Sequence, residues 1–128
     1  MFTNMEIPLQ ASGGGNSRVQ YGTFTAAVGD NVVPIDFEPS KLIIYKDDIM
    51  TSSVSTGTPN GMRAIIYDKD LNPGKYFGSY CLTGGWYGNA NDYPTSTGLK
   101  DITSSSFTFA IGSSASAFAG TYYFIAVE

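Results

Sequence analysis

Apolar residues occupy consecutive positions, rather than every second position, in three short segments of the chain. The segments are residues 42–45, 64–67 and 121–127. A strand with one face in water alternates apolar and polar residues, so these runs indicate strands that are covered on both faces. The cover comes from another sheet of the same chain or from another subunit, and the sequence leaves that question open.

Further strand candidates follow one another closely, with Gly, Ser, Thr, Asn and Pro in the connections. We find no convincing helical pattern of apolar residues. The candidates are residues 19–27, 31–37, 41–46, 62–67, 75–82, 99–103, 106–111 and 121–127. About eight short strands of this kind predict an all-β, antiparallel β-sandwich that is jelly-roll-like.

Individual glycine and proline positions predict details of this sandwich. Residues 28–30 are expected to form a hairpin-like connection in which Gly29 takes a positive φ angle. Pro34 indicates an edge or bulged strand because proline has no N–H for a ladder hydrogen bond, and Gly78 indicates a bulge. Residues 84–98 are expected to form a long loop, part of which is strand.

The N-terminal residues predict an arm outside the sandwich. Apolar and polar residues alternate within residues 1–11, where Pro8 favours an edge or isolated strand, and residues 12–17 form a glycine-rich, flexible linker. We therefore divide the chain into an arm and linker, residues 1–17, and a sandwich domain, residues 18–128. Such an arm is either a frayed terminus or, as we expect, a segment that docks on a neighbouring subunit. The candidate contact residues are Phe2, Met5, Ile7 and Leu9.

Composition and charge narrow the classes of function. Tyr (9) and Phe (8) are abundant, the net charge is −4, and the 7 Lys and Arg residues are scattered. We therefore expect neither a nucleic-acid partner nor a membrane-surface role. No apolar run approaches the roughly 18 residues of a spanning helix, and the first residues lack the features of a signal peptide. The sequence thus predicts a protein made in a cytoplasm and not exported by a standard route.

Catalytic chemistry finds little support in the sequence. Histidine is absent, and Cys81 is the single cysteine, which its neighbours predict to be a buried strand residue. Asp47 and Asp48 are adjacent, so on a strand they would point to opposite faces and would not form a catalytic pair. We expect a protein that is not an enzyme and that binds no cofactor.

One segment partly matches a calcium-binding loop. Asp68, Asp70 and Asn72 place oxygen side chains at alternate positions, as at the start of such a loop. The required glycine comes one position late at Gly74, and Ser79 stands where a bidentate acid would be needed. We therefore interpret the segment as a polar turn.

A second segment combines aromatic and amide side chains, the groups that stack on and hydrogen-bond to a sugar. The same residues also suit a loop anchor or a contact with a neighbouring subunit, because Trp and Tyr are common interface residues. The candidates are Trp86, Tyr87, Asn89, Asn91, Asp92 and Tyr93.

Four segments together carry a resemblance to a known group of proteins. They are Gly22-Thr-Phe-Thr, Asp36-Phe-Glu-Pro-Ser-Lys-Leu-Ile-Ile-Tyr45, Ser106-Phe-Thr-Phe109 and Tyr122-Tyr-Phe-Ile-Ala126. Their order resembles small β-sandwich modules in virion proteins of tailed bacteriophages, such as tail, baseplate, fibre and capsid-decoration proteins. The resemblance implies a Phe-x-Pro corner before an apolar strand, a virion location and no catalytic residues.

The sequence therefore predicts a non-enzymatic phage structural protein. Its expected partners are copies of itself and other virion proteins, contacted through the arm and the apolar sheet surface. The alternative is a carbohydrate-binding adhesion module that recognises a glycan on the host cell surface.

Overall fold

The protein is built from two antiparallel β-sheets. The computed structural model describes residues 4–10, 16–47, 61–82, 85–92 and 95–128. The larger sheet has seven strands in the order β1-β2-β10-β4-β5-β6-β7, and the smaller has three in the order β3-β9-β8. The strands of the larger sheet are β1 (Asn4–Gln10), β2 (Asn16–Ala26), β4 (Lys41–Lys46), β5 (Gly61–Asp68), β6 (Lys75–Leu82), β7 (Gly85–Asp92) and β10 (Gly120–Val127). Those of the smaller sheet are β3 (Gly29–Pro34), β8 (Gly98–Ile102) and β9 (Ser106–Ile111).

The prediction of an all-β antiparallel sandwich is confirmed. The eight predicted strands form β2, β10, β4, β5 and β6 of the larger sheet and the whole of the smaller one. The other two strands, β1 and β7, add one strand at each edge of the larger sheet. The arrangement of a seven-stranded sheet against a three-stranded sheet does not confirm jelly-roll connectivity.

The core lies between the two sheets and is rich in aromatic rings. Phe24 on β2 lies 5.7 Å, between ring centroids, from both Phe107 and Phe109 on β9. Its ring also stacks on that of Tyr122 on β10, at 5.6 Å. Edge-on and offset contacts of this kind add to the stabilisation from apolar burial. This cluster therefore holds the larger sheet against the smaller one.

The Phe-x-Pro corner closes one end of the core, as predicted. Phe37 is buried, and the guanidinium carbon of Arg18 lies 5.0 Å from the centre of its ring. The buried side chain of Gln20 accepts a hydrogen bond from the backbone N–H of Asp36 at 2.8 Å. The corner is thus held by apolar burial, a cation–π contact and a buried hydrogen bond.

The connection at residues 28–30 is not a hairpin, so that prediction is wrong. Strand β2 already pairs with β1 on one side and β10 on the other, so β3 pairs with β9 in the other sheet. Gly29 does take a positive φ, of 108°. The side chain of Asn31 stabilises this corner because it bonds both the N–H and the C=O of Ala27. Pro34 ends β3, an edge strand, as predicted.

The bulge predicted at Gly78 is wrong. Gly78 is buried and pairs in register with Ile65, while the irregularity lies in β5 between Met62 and Ala64. The segment at residues 84–98, expected to be part loop and part strand, contains more strand than expected, because β7 pairs with β6 along its whole length. Glycine and asparagine have low strand propensity, so the sequence pattern only partly indicates this strand. The pairing itself uses backbone groups, which these residues also have.

A hydroxyl network ties β6 to the segment before β8. The hydroxyl of Tyr76 lies 2.9 Å from Oγ1 of Thr95 and donates to the carbonyl of Thr97 at 3.2 Å. Gly98 has a φ of 112°, and a side chain there would collide with the ring of Tyr76. Burial raises the pKa of Tyr76, and its hydrogen bonds only partly oppose that shift.

Because the folded-state pKa of Tyr76 is raised, folding favours the neutral phenol. We predict that its contribution to stability is complete below about pH 10, the pKa of an unfolded tyrosine, and is lost as the pH rises through the folded-state value. In Tyr76→Phe the free energy of unfolding should fall less steeply above pH 10, and it should be about 1 kcal/mol lower at pH 7. Urea unfolding across the pH range measures both effects. An unchanged alkaline slope in the variant would contradict the assignment.

Candidate assembly surface

The face of the larger sheet that points away from the smaller sheet is apolar across five adjacent strands. One residue from each strand lies directly opposite its neighbour, and these residues form a continuous line, which we call the outer row. The outer row consists of Tyr21, Ile125, Ile43, Ile66 and Phe77.

Four members of the outer row are exposed and Tyr21 is half-buried, although the chain neighbours of all five are buried. Ile43, Ile66 and Phe77 are 40%, 51% and 44% exposed, whereas Ile44 and Ile65 are fully buried in the core. Successive strand residues point to opposite faces, so the consecutive apolar residues supply both the core and the outer row. Among the described residues, the smaller sheet covers the inner face only. The outer face of the sheet is therefore left without a covering layer by the described residues.

A second line of residues runs beside the outer row, and we call it the second row. The rings of Tyr45 and Tyr123 within it stack with their centroids 5.3 Å apart. Neither row contains an ionisable acid or base of the Asp, Glu, Lys or Arg type. The second row consists of Thr23, Tyr123, Tyr45, Ala64 and Ser79.

The outer face is concave on one side of its middle strand. A groove with a volume of about 570 Å³ lies over β2 and β10 and reaches β4. Ligand sites commonly have volumes of several hundred Å³ and apolar, aromatic walls. We call this feature the tyrosine groove. Its walls include Val19, Tyr21, Thr23, Tyr45, Tyr123 and Ile125.

Charged side chains border the outer face at one end. The ammonium of Lys41 lies 3.8 Å from a carboxylate oxygen of Asp68 and 3.4 Å from one of Asp70. The ion pair of Arg18 and Glu128 lies at the same end of the sheet but on the inner side, where Arg18 also covers Phe37. An apolar centre with a polar rim is the usual anatomy of a protein interface.

The predicted arm residues continue this face. Strand β1 pairs with β2 of its own chain, with Met5 opposite Tyr21, Ile7 opposite Val19 and Leu9 opposite Ser17. Met5 therefore occupies the register position that extends the outer row by one strand. Residues 4–10 form part of the larger sheet, so the arm described in the sequence is its edge strand. Phe2 lies outside the described residues, and docking of the arm on a neighbour stays a prediction.

The predicted sugar-binding residues fall mainly on β7. Trp86 and Tyr87 occupy adjacent positions, opposite Cys81 and Tyr80 of β6, and adjacent strand positions belong to opposite faces. Asn89 and Asn91 lie opposite Gly78 and Tyr76, and Asn91 is half-buried. Asp92 ends the strand, and Tyr93 lies outside the described residues. The glycan alternative therefore stays a prediction that no described side-chain arrangement favours.

The calcium-like segment forms a turn stabilised by its own first acid. The carboxylate of Asp68 accepts hydrogen bonds from the backbone N–H groups of Asp70, at 3.0 Å, and Leu71, at 3.1 Å. The Lys41 ammonium lies beside the same carboxylate. No group of three or more potential metal-ligating acids or cysteines occurs among the described residues. The side chain of Cys81 and all of Asp48 lie outside the described part.

Comparisons with protein-family models, curated proteins and solved structures find no match to this chain. Within the described segments, no helix is long and apolar enough to cross a membrane.

Sequence reasoning pointed to part of this surface. The consecutive apolar residues at 42–45, 64–67 and 121–127 indicated a second apolar face, and they supply Ile43, Ile66 and Ile125. Tyr21 and Phe77 were missed as contact residues because the alignment of their strands depends on the register. The tyrosine groove likewise depends on three strands that are distant in sequence.

We predict that Asp68 stabilises its turn and does not bind calcium. Asp68→Ala removes the acceptor of two backbone N–H groups and should lower the free energy of unfolding by about 1 kcal/mol. Asp70→Ala is the control, because that exposed carboxylate contacts only Lys41 among the described contacts, and it should cost less than about 0.5 kcal/mol. Urea unfolding with and without millimolar calcium measures both. A calcium-dependent stabilisation of the wild type that Asp68→Ala abolishes would refute this account.

Proposed function

We propose that this protein is a non-enzymatic structural component of a particle and that it assembles with copies of itself through the outer face of its larger sheet. The observation that carries the proposal is the outer row, an exposed apolar line across five strands without a charged side chain. Monomers rarely expose contiguous apolar patches beyond a few hundred Å², and larger patches mark interaction sites.

The dimensions of the face suit a stable contact between two copies. Six spacings of about 4.8 Å make the seven-stranded sheet about 29 Å wide, and its strands other than the longer β2 are about 20–27 Å long. Such a face has an area on the order of 700 Å², close to the ~800 Å² that each partner buries in a standard interface. A second copy supplies a surface of the same size and chemistry.

Charge does not oppose a second copy as the partner at this face. The chain carries a net charge of −4, which makes two copies repel each other at a distance. The two rows contain none of that charge, and the nearby Lys41 is balanced by Asp68 and Asp70. Contact through the two rows therefore buries no charged side chain.

The resemblance to virion modules of tailed phages supports a virion as the particle in which this assembly takes place. In that setting the contacts are made with copies of the chain and with other virion proteins. Strand β1 contributes the Met5 position to the same face, so the arm and the sheet surface belong to one contact area.

We predict that a charge at the centre of the outer face prevents assembly. Ile43 lies on the middle strand of the sheet, so Ile43→Lys would bury an unpaired ammonium in the interface. The dissociation constant of the oligomer should rise by at least about 100-fold, and Ile66→Lys should act in the same direction. Light scattering coupled to size exclusion measures the mass across a concentration series.

Val32→Lys is the matched control for these variants. Val32 is 64% exposed on an edge strand of the smaller sheet, so it is at least as accessible as Ile43 but lies off the outer face. Its mass profile should equal that of the wild type. Assembly that survives Ile43→Lys and Ile66→Lys in folded protein would rule out the outer face as the contact.

A further inference from the structure

The outer face carries an exposed phenylalanine and a groove on opposite sides of its middle strand. Strand β4 has three strands on each side in the larger sheet. Phe77 lies on β6, two strands from β4, and is 44% exposed. The tyrosine groove lies over β10 and β2, which are one and two strands from β4 on the other side. Both features are thus centred within about 10 Å of the middle strand.

The two features also lie at the same level along the strands. Phe77 is in the outer row, the row that contains Tyr21 and Ile125 in the walls of the groove. A two-fold axis parallel to β4 reverses the order of the strands and keeps the level along them. Such an axis brings Phe77 of each copy over β2 and β10 of the other copy.

We propose that Phe77 of each copy inserts into the tyrosine groove of a second copy, in a dimer whose two-fold axis runs along β4 over Ile43. This inference rests on the self-association proposed above and specifies its geometry. The contact is isologous, because the same groove and the same phenylalanine are used twice.

The chemistry of the groove fits a phenylalanine ring. Its walls are aromatic and aliphatic, including the stacked pair of Tyr45 and Tyr123, and aromatic rings favour edge-on or offset contacts with one another. Large aromatic side chains in well-packed pockets near the centre of an interface contribute most of its binding energy. The axis passes close to Lys41, whose charge Asp68 and Asp70 balance in each copy.

Cross-linking of single-cysteine variants tests this geometry. All variants carry Cys81→Ser. Phe77→Cys in one chain is mixed with Tyr21→Cys in another and treated with a bis-maleimide on an ethane spacer. Packed sheets lie about 10 Å apart, which is too far for a disulfide but within reach of this linker. The mixture should give covalent dimers, whereas Phe77→Cys alone, or mixed with Val32→Cys, should give none.

Self-cross-linking of Phe77→Cys would overturn the inference, because it would place the two-fold axis across the strands. The absence of covalent dimers in a mixture that is dimeric by light scattering would also overturn it, while leaving self-association through the outer face intact. A wild-type chain that stays monomeric would instead refute the proposed function.

Two substitutions test the contact without cysteine chemistry. Phe77→Ala removes the ring and should weaken the dimer by about 10- to 100-fold, since an aromatic ring in a central pocket is lost. Thr23→Trp fills the groove from its own chain and should weaken the dimer as well. Val32→Ala serves as the control and should leave dimerisation unchanged. A dimer of wild-type strength in both folded variants would contradict the contact.

Discussion

The larger sheet is apolar on both faces, but the described part of the chain supplies a second layer for only one of them. The smaller sheet has three strands and packs on the inner face, where Phe24, Phe107 and Phe109 form the aromatic centre of the core. The outer face retains an exposed apolar row across five strands. Burial of apolar surface contributes about 25 cal/mol per Å², so this face provides a driving force for association that the isolated fold does not use.

The features around this face act in the same direction. The charged groups near it are paired with each other at the ends of the strands, as in the cluster of Lys41, Asp68 and Asp70. Strand β1 widens the face at one edge and β7 widens the sheet at the other. The groove beside the middle strand makes the face uneven. A partner with a complementary shape therefore binds this face better than a partner without one.

Much of the fold was predictable because strand patterns are local. The runs at residues 42–45, 64–67 and 121–127 indicated strands with two apolar faces, and the structure confirms both the strands and the second face. The hairpin expected at residues 28–30 failed because local sequence does not reveal that both edges of β2 are already paired. Strand β7 was partly read as a loop since glycine and asparagine have low strand propensity.

The candidate surface was harder to predict, because it depends on register between distant strands. Phe77 can be recognised as a member of the outer row only when β6 is aligned with β5. The tyrosine groove can be recognised only when β2, β10 and β4 are known to be adjacent. The arm residues were identified from the alternation of apolar and polar positions. The outer row, which the Met5 position extends, was not identified in this way. Sequence patterns therefore indicated that a second face exists but not its shape.

A second copy that covers the outer face doubles the mass of the protein in solution, and sedimentation equilibrium of the unmodified chain measures that mass directly. The chain has a mass of 13.7 kDa. We expect a mass that rises with concentration to twice that value, or to a higher multiple of it. A mass of 13.7 kDa at every concentration up to the millimolar range would contradict it.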